Sequence, residues 1–369
     1  MHQKLTLHRL QDLLERFADL NIILVGDFIL NQQIIVDSQL AESVPESGKQ
    51  SHQVVTTRYS LGGAGAVAKI LHCLGTSSIR LFGAVGGDGY GWQLLKLLQA
   101  IGCDLHDLNV APSWSTPASI MHIDSQGEDD SKSVVNQPTQ CFDVRMRHPL
   151  GESHIASASA RLARAVPNCD LVIVMDQFSE EDSGYFSPNF RRFLSELADS
   201  HFKQSFCVDS RHFVGQYTHM NAKINANDLL ANNSRGTQQA NSAKAAEKAE
   251  RPDGDKSSVH VYEELQAAAI KLRRQLLKPV LVSLGEKGIL TCDGSTSVIP
   301  PLPLTPPIDR LGSSECITAV VAAAMATGAS AVEAAQVAIL ASNLVVHQLT
   351  TPGAISKIDL IERFQTMNR

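Results

Sequence analysis

Several absences narrow this chain before any motif does. The seven cysteines (Cys73, Cys103, Cys141, Cys169, Cys207, Cys292 and Cys316) form no Cys-x-x-Cys pair. An odd, scattered set argues against a disulfide framework or a structural zinc site. It suits a reducing compartment, so a cytoplasmic location is expected. No run reaches the roughly 18 apolar residues that a membrane span needs, and no secretory signal opens the sequence. The net charge of −6 supplies no basic field for nucleic acid or anionic lipid. No two histidines stand two to four residues apart, and neither Gly-x-Ser-x-Gly nor the P-loop Gly-x-x-x-x-Gly-Lys-Ser/Thr occurs. What remains is a 369-residue chain, 43% hydrophobic, long enough to bury a sizeable core without staples.

The apolar pattern then gives the layout. Leu7, Leu10, Leu13, Leu14 and Phe17 recur at helical spacing within Met1–Leu20 and predict an amphipathic helix. Short apolar runs read as strands at Asn21–Val25, Ile79–Val85, Asp170–Met175, Ser205–Val208 and Val280–Leu284. Helical patterns lie at Ala64–Leu74, Gly91–Ile101, Ala319–Ala326 and Val332–Val346. Such alternation predicts an α/β fold, a mainly parallel sheet with helices on both faces. In these sheets ligands bind beyond the carboxyl ends of the strands, where Asp27, Asp176, Asp209 and Gly285 fall. Each one alone is explained by turn chemistry; the group favours a shared site. The β-prone segments Asn31–Tyr59 and Pro112–Val135 predict a small second sheet laid over the first. Ala231–Ser258 is polar and too poor in apolar residues to pack, so it reads as a mobile surface insertion.

Three glycine-bearing stretches stand out. Asp309-Arg310-Leu311-Gly312-Ser313-Ser314-Glu315 runs straight into the apolar stretch Cys316–Met325. A helix N-terminus presents unpaired N–H groups and partial positive charge, which suits a phosphate. Glu315, in the first turn, is placed to accept a hydroxyl proton. The same letters fit a plain helix start, with Ser313 or Ser314 as N-cap and Glu315 complementing the dipole. Leu61-Gly62-Gly63-Ala64-Gly65-Ala66 allows close backbone approach to a ligand or simply turns a strand into a helix. In Val85-Gly86-Gly87-Asp88-Gly89-Tyr90-Gly91, Asp88 is expected to organise a turn.

Taken in order, these stretches resemble the ribokinase/PfkB family of carbohydrate kinases across nearly the whole chain. Gly26-Asp27 is similar to its sugar-contacting Gly-Asp, and Gly62-Gly63 to its Gly-Gly-x-x-Asn. Asn225-Ala226-Asn227-Asp228 is similar to its Asn-x-x-Glu, and Ser283-Leu284-Gly285-Glu286-Lys287-Gly288 to its Thr-x-Gly-x-x-Gly. Asp309–Glu315 resembles its Asp-Thr-Thr-Gly-Ala-Gly-Asp. Asp176-Gln177-Phe178, Val208–Arg211 and Asn343–Gly353 bring the chain nearest to the kinase half of bacterial ADP-heptose synthases, and no His-x-Gly-His of their nucleotidyltransferase half is present. The resemblance implies a single ribokinase-like three-layer α/β/α domain with a β lid, and a homodimer paired through the lid. It also implies ATP-dependent phosphorylation of a sugar or sugar phosphate, with magnesium but no dedicated protein metal site. Glu315 would be the base and Gly312, Ser313 and Ser314 the phosphate cradle. Asp27, Asn31, Gly62, Gly63 and Ala66 would face the sugar, and Asn225, Asp228, Ser283, Gly285 and Gly288 the nucleotide.

The departures cluster where family side chains touch ligands. Asn31 stands for a second Asp of the heptose-kinase branch, Ala66 for Asn, Asp228 for Glu, and Ile339 for an Asn near the adenine. Ser314 stands for Gly and Glu315 for Asp. If position 314 needs positive φ, Ser costs about 1–2 kcal/mol there. The clustering motivates a rival expectation, a pseudokinase that keeps the fold as a ligand-binding or protein-interaction module.

Overall fold

The computed structural model describes residues 5–125, 137–182, 184–235, 255–306, 308–349 and 354–367. The chain opens with α1 (Leu7–Arg16), β1 (Asn21–Gly26), the long hairpin β2 (Phe28–Ser43) and β3 (Gln50–Gly63), and α2 (Ala64–Cys73). It continues with β4 (Ser78–Gly86), α3 (Gly89–Ala100), β5 (Leu108–Ala111), β6 (Ala118–Asp124) and β7 (Gln140–Val144). Next come α4 (Glu152–Ala165), β8 (Leu171–Asp176), α5 (Pro188–Ser200), β9 (Ser205–Ser210), β10 (Asn221–Asn225), α6 (Ala226–Arg235) and α7 (Asp255–Leu276). The last part runs β11 (Val280–Ser283), β12 (Ile289–Asp293), β13 (Ser295–Ile299), α8 (Ser313–Ala326), α9 (Ala331–Val345) and α10 (Lys357–Met367).

Nine strands form the main sheet in the order β13-β12-β11-β10-β9-β8-β1-β4-β5. The sheet is parallel from β11 to β5, and the β12–β13 hairpin adds an antiparallel edge. Its central strands are continuous apolar runs because both faces are covered. In β1, Ile22 and Leu24 join the core on one face, under α1, α2, α3, α8, α9 and α10. Ile23 and Val25 join the core on the other, under α4, α5, α6 and α7. The expected three-layer α/β/α arrangement is therefore present. Helix α8 is buried on every side from Cys316 to Ala324, and its small residues let it lie close to both α2 and α9.

A four-stranded sheet, β3-β2-β6-β7, forms the lid. Its hairpin is longer than the expected Asn31–Tyr59, because β2 leaves the end of β1 with almost no loop and β3 runs directly into α2. The expected segment Pro112–Val135 contributes β6; residues 126–136 lie outside those described, and β7 lies further on, where no strand was anticipated. The expected insertion Ala231–Ser258 overlaps a helix at each end. Residues 231–235 finish α6 and residues 255–258 begin α7, while 236–254 lie outside the described residues. The polar letters Ala-Asn-Asn-Ser-Arg belong to the outer end of a helix whose Leu229 is anchored in the core. Asn232 Nδ2 donates to the carbonyls of Asp228 and Arg211, 2.7 Å each.

Asp176, at the end of β8, belongs to the frame and not to an open site. Arg191 from α5 grips both carboxylate oxygens, at 2.9 and 3.2 Å, and Ser210 Oγ and Tyr217 Oη each donate to Oδ2 at 2.9 Å. The Arg191 guanidinium lies 4.0 Å from the Phe213 ring centroid, and both charged side chains are almost fully buried. Removing one partner of such a pair leaves an uncompensated buried charge, a cost of about 3–5 kcal/mol. Arg191→Met should lower unfolding stability by that order in urea titrations, and Arg191→Met/Asp176→Asn should recover part of it. An Arg191→Met midpoint equal to wild type would remove this role.

Candidate active site

The carboxyl ends of β10 and β11 open into a cleft of about 1040 Å³. Asn225 and Ser283 are paired across these strands, and Ser283 Oγ donates to Asn225 Oδ1 at 2.7 Å. The turn Gly285–Gly288 forms one wall. The N-terminus of α8, with Arg310, Ser313 and Ser314, forms another, and Ile339, Ser342, Asn343 and Val346 on and just after α9 line a third side. Leu302, Leu304, Ile308 and Ile317 make part of the interior apolar. Polar groups thus gather at the strand ends, and apolar ones come from the 301–308 segment, α8 and α9, as a ligand with a charged end and a flat apolar end requires.

Beneath the α8 N-terminus lies a buried ammonium that sequence reasoning missed. Lys223 Nζ donates to Asp209 Oδ2 and Asn225 Oδ1, both at 3.1 Å, and to Ser314 Oγ. Its side chain is fully buried. Asp209 Oδ2 also accepts from Thr318 Oγ1 at 2.6 Å. Asn225 Nδ2 donates to Asp228 Oδ2 at 3.2 Å. Burial raises the Asp228 carboxyl, and Arg211 and Asn225 act against that rise. The signal was available: a lysine between Ala222 and Ile224 in a short apolar strand is rarely buried unless paired.

The helix start itself differs from the plain reading. Its N-cap is Gly312, with φ 81°, and no side chain caps it. Ser313 and Ser314 are the first two helical residues. Ser313 Oγ meets Ser342 Oγ of α9 at 2.8 Å, and Ser314 Oγ also donates to Asn225 Oδ1 at 3.3 Å. The left-handed conformation falls on Gly312, so Ser314 carries no backbone strain of that kind. Glu315 is half-buried and is not part of the cleft lining. Among the described residues its carboxylate has no hydrogen-bond partner.

On the lid side, Asp27 is 6% exposed and accepts a hydrogen bond from the Gln177 N–H at 2.8 Å. Gly63, with φ 53°, starts α2; a Cβ there would stand 2.6 Å from the Asp27 carbonyl oxygen. A Cβ on Gly62 would meet the Asn31 amide at 2.7 Å, so Asn31 lies directly over Gly62. Ala66 is buried on α2 and offers no polar atom. Asp88 is structural, as expected: it accepts from the N–H groups of Gly91 and Thr116, at 2.7 and 2.8 Å, and pins the start of the lid strand β6 to the α3 turn. None of the five expected sugar-facing residues lines the cleft, whereas Asn225, Ser283, Gly285, Gly288, Ser313 and Ser314 do.

Residues 21–175 and 239–357 match the pfkB family of carbohydrate kinases. The chain belongs to this family. Its fold is similar to that of Arabidopsis thaliana ribokinase, a structure complexed with ribose and ATP. The TM-score is 0.66 at 16% identity, over 94% of this chain and 99% of that one. It is likewise similar to Escherichia coli phosphofructokinase-2, solved with substrates and products, at TM-score 0.64 and 16% identity over 95% and 99% of the two chains. Ribokinase from Cryptococcus neoformans var. grubii serotype A, in complex with ADP, matches at TM-score 0.59 and 15% identity, over 93% and 99%. No curated protein matches the chain. The ribokinase-like fold, its small lid sheet included, is thus shared with these kinases.

Among the described residues, no three acidic, histidine or cysteine side chains come together as a metal cage. Asn225 Oδ1 is taken by Lys223, Ser283 and Ser314, which leaves the neighbouring Asp228 carboxylate suited to a magnesium ion carried mostly by phosphate and water. No helix of the described residues is long and apolar enough to cross a membrane.

Burial, with Asp176 close by, pushes the Asp27 carboxyl well above the usual carboxylate range. A raised folded-state value means that its stabilising contribution is complete only below about pH 4, the ordinary carboxylate value. The contribution is lost as pH climbs through the raised value. Asp27→Asn should therefore melt a few degrees higher than wild type at pH 7, with the gap closing towards pH 4. Thermal unfolding across that pH series checks it, and a lower melting point at pH 7 would refute it.

Proposed function

We propose that this pfkB family member is an ATP-dependent kinase that phosphorylates a hydroxyl of a sugar or sugar phosphate. One observation carries the reading: the glycine-capped N-terminus of α8 opens onto a cleft with a polar end at the strand ends and an apolar end formed by the 301–308 segment, α8 and α9. The polar end suits phosphates and the apolar end an adenine. Asn225, Ser283 and the Gly285–Gly288 turn would line the nucleotide, with Ile339 against the base. Asp228 would help hold the magnesium ion, which when bound neutralises phosphate charge. Asp27, Asn31 and the Gly62-Gly63 backbone would receive the sugar beneath the lid. The likeness of Asp176–Phe178 and Val208–Arg211 to the heptose-kinase branch supports a heptose phosphate as the first acceptor to try.

In the proposed step, the acceptor hydroxyl gives its proton to the Glu315 carboxylate and its oxygen bonds to the γ-phosphorus. The bond from that phosphorus to the bridging oxygen breaks, and ADP leaves. Charge on the transferred group is held by the N–H groups at the α8 start. Glu315 suits the role of base because nothing in the described structure competes for its carboxylate.

A second reading keeps the cleft but not the turnover. It is favoured by Ser314, whose hydroxyl takes one of the three Lys223 donors at the point where phosphate is expected. Purified protein given ATP, magnesium and a panel of sugars and sugar phosphates should release ADP with at least one acceptor. Glu315→Gln should lower kcat by about 10²–10⁴-fold with little change in the KM for ATP. Equal turnover in that variant would remove Glu315 as base, and ATP binding without turnover on any acceptor would favour the second reading. The exposed lid residues Val54, Val55 and Phe142 support pairing of two lids. Sedimentation should give a dimer, and a monomer at high micromolar concentration would remove that part of the proposal.

A further inference from the structure

The cleft carries few charges, and they are paired with each other. Among the described residues that line it, Arg310 is the one cation and Glu286 the one acid. The Arg310 guanidinium donates to the Glu286 carboxylate. Arg310 sits in the short turn that ends at Gly312 and α8; Glu286 sits in the turn that follows β11. The pair therefore ties together the two walls between which a phosphate chain would lie. The buried Lys223 beneath the α8 start has its three donors committed to Asp209, Asn225 and Ser314. Among the described residues that line the cleft, a polyanion meets no free cationic side chain until Arg310 leaves Glu286.

That exchange costs little. Both side chains are more than half exposed, 56% and 65%, and a solvated pair of this kind holds weakly. Guanidinium matches phosphate in a planar, bidentate fashion and is weakly hydrated, so phosphate oxygens carrying two or more charges are the stronger partner. We propose that Arg310 is a phosphate-binding residue of the cleft and that Glu286 is its resting partner, released when a nucleotide's phosphates arrive. The proposal rests on the nucleotide reading of the cleft and goes further, because it assigns a cation from within the altered loop to the ligand's charged end. It also predicts an effect whose sign a bracing ion pair would not give: Glu286 competes with the ligand, so removing its charge strengthens binding.

Isothermal titration on the full chain, with ADP, inorganic pyrophosphate and adenosine as separate probes, decides it. Arg310→Ala should weaken ADP and pyrophosphate about tenfold, equivalent to about 1.4 kcal/mol, and leave adenosine unchanged. Arg310→Lys should fall between the two. Glu286→Gln should tighten ADP and pyrophosphate several-fold, and this gain should vanish in Arg310→Ala/Glu286→Gln. The dependence of ADP affinity on salt should be shallower in Arg310→Ala than in wild type. If wild type binds ADP and Arg310→Ala binds it equally well, or if Glu286→Gln binds it more weakly, the assignment is overturned while the nucleotide reading stands. If wild type binds none of the three probes, the nucleotide reading falls, and this assignment with it. Both positions are exposed, and unchanged melting curves establish that the variants fold.

Discussion

A single buried ammonium organises the centre of this molecule. Lys223 lies wholly within the protein, where an unpaired charge would be intolerable. Its three donors are met by acceptors from three elements: Asp209 of β9, Asn225 of β10 and Ser314 of α8. Thr318 Oγ1, one helical turn beyond Ser314, adds a second tie from α8 to Asp209. The start of α8 is thereby fixed above the carboxyl ends of β9 and β10, where the topology of a parallel sheet gathers ligand-binding groups. Without this compensation the apolar body of α8 would still be buried, but its start would lose its polar ties to the central strands and keep only the Ser313–Ser342 contact to α9.

The same network explains why neighbouring acids differ in duty. Asp176, Asp209 and Asp27 all end strands, and from letters alone they form one group. Asp176 is saturated by Arg191, Ser210 and Tyr217, so it is part of the frame. Asp209 holds Lys223 and Thr318 through Oδ2. Asp27 has only backbone N–H donors from the turn after β8, together with burial that opposes its charge. A carboxyl in so costly a place lowers stability once it is charged, and strained or costly groups of this kind are expected at functional sites. On the proposed reading, Asp27 is the acid that meets the sugar.

The sheet was legible because its period is simple. Runs such as Asn21–Val25 and Asp170–Met175 are apolar at successive positions, and both faces are covered. Strand β10 escaped because Lys223 interrupts its run, and only the partners across space make that residue a core residue. Strand β7 escaped for the opposite reason: Gln140, Cys141, Phe142 and Asp143 are exposed, so burial left no pattern on them. The glycine signatures placed the turns correctly, since Gly63 and Gly312 hold φ values that other residues avoid. What those signatures could not reveal was the side-chain wiring. Glu286 and Arg310 are 24 residues apart, and no local spacing rule joins them.

Ser314 therefore has a meaning that the letters alone did not give. Positive φ belongs to Gly312, so the serine does not strain the turn, and the helix keeps its free N–H groups and its dipole. A phosphate cradle draws its strength from those backbone groups, none of which the serine removes. What the serine changes is the electrostatics around the cradle: its hydroxyl absorbs one donor of Lys223, and that buried cation is left fully engaged within the protein. On the proposed reading, the charge that a nucleotide needs must then come from a cation that is free to move. Arg310, placed three residues before the start of α8 and held only by a solvated carboxylate, meets that requirement on the same reading.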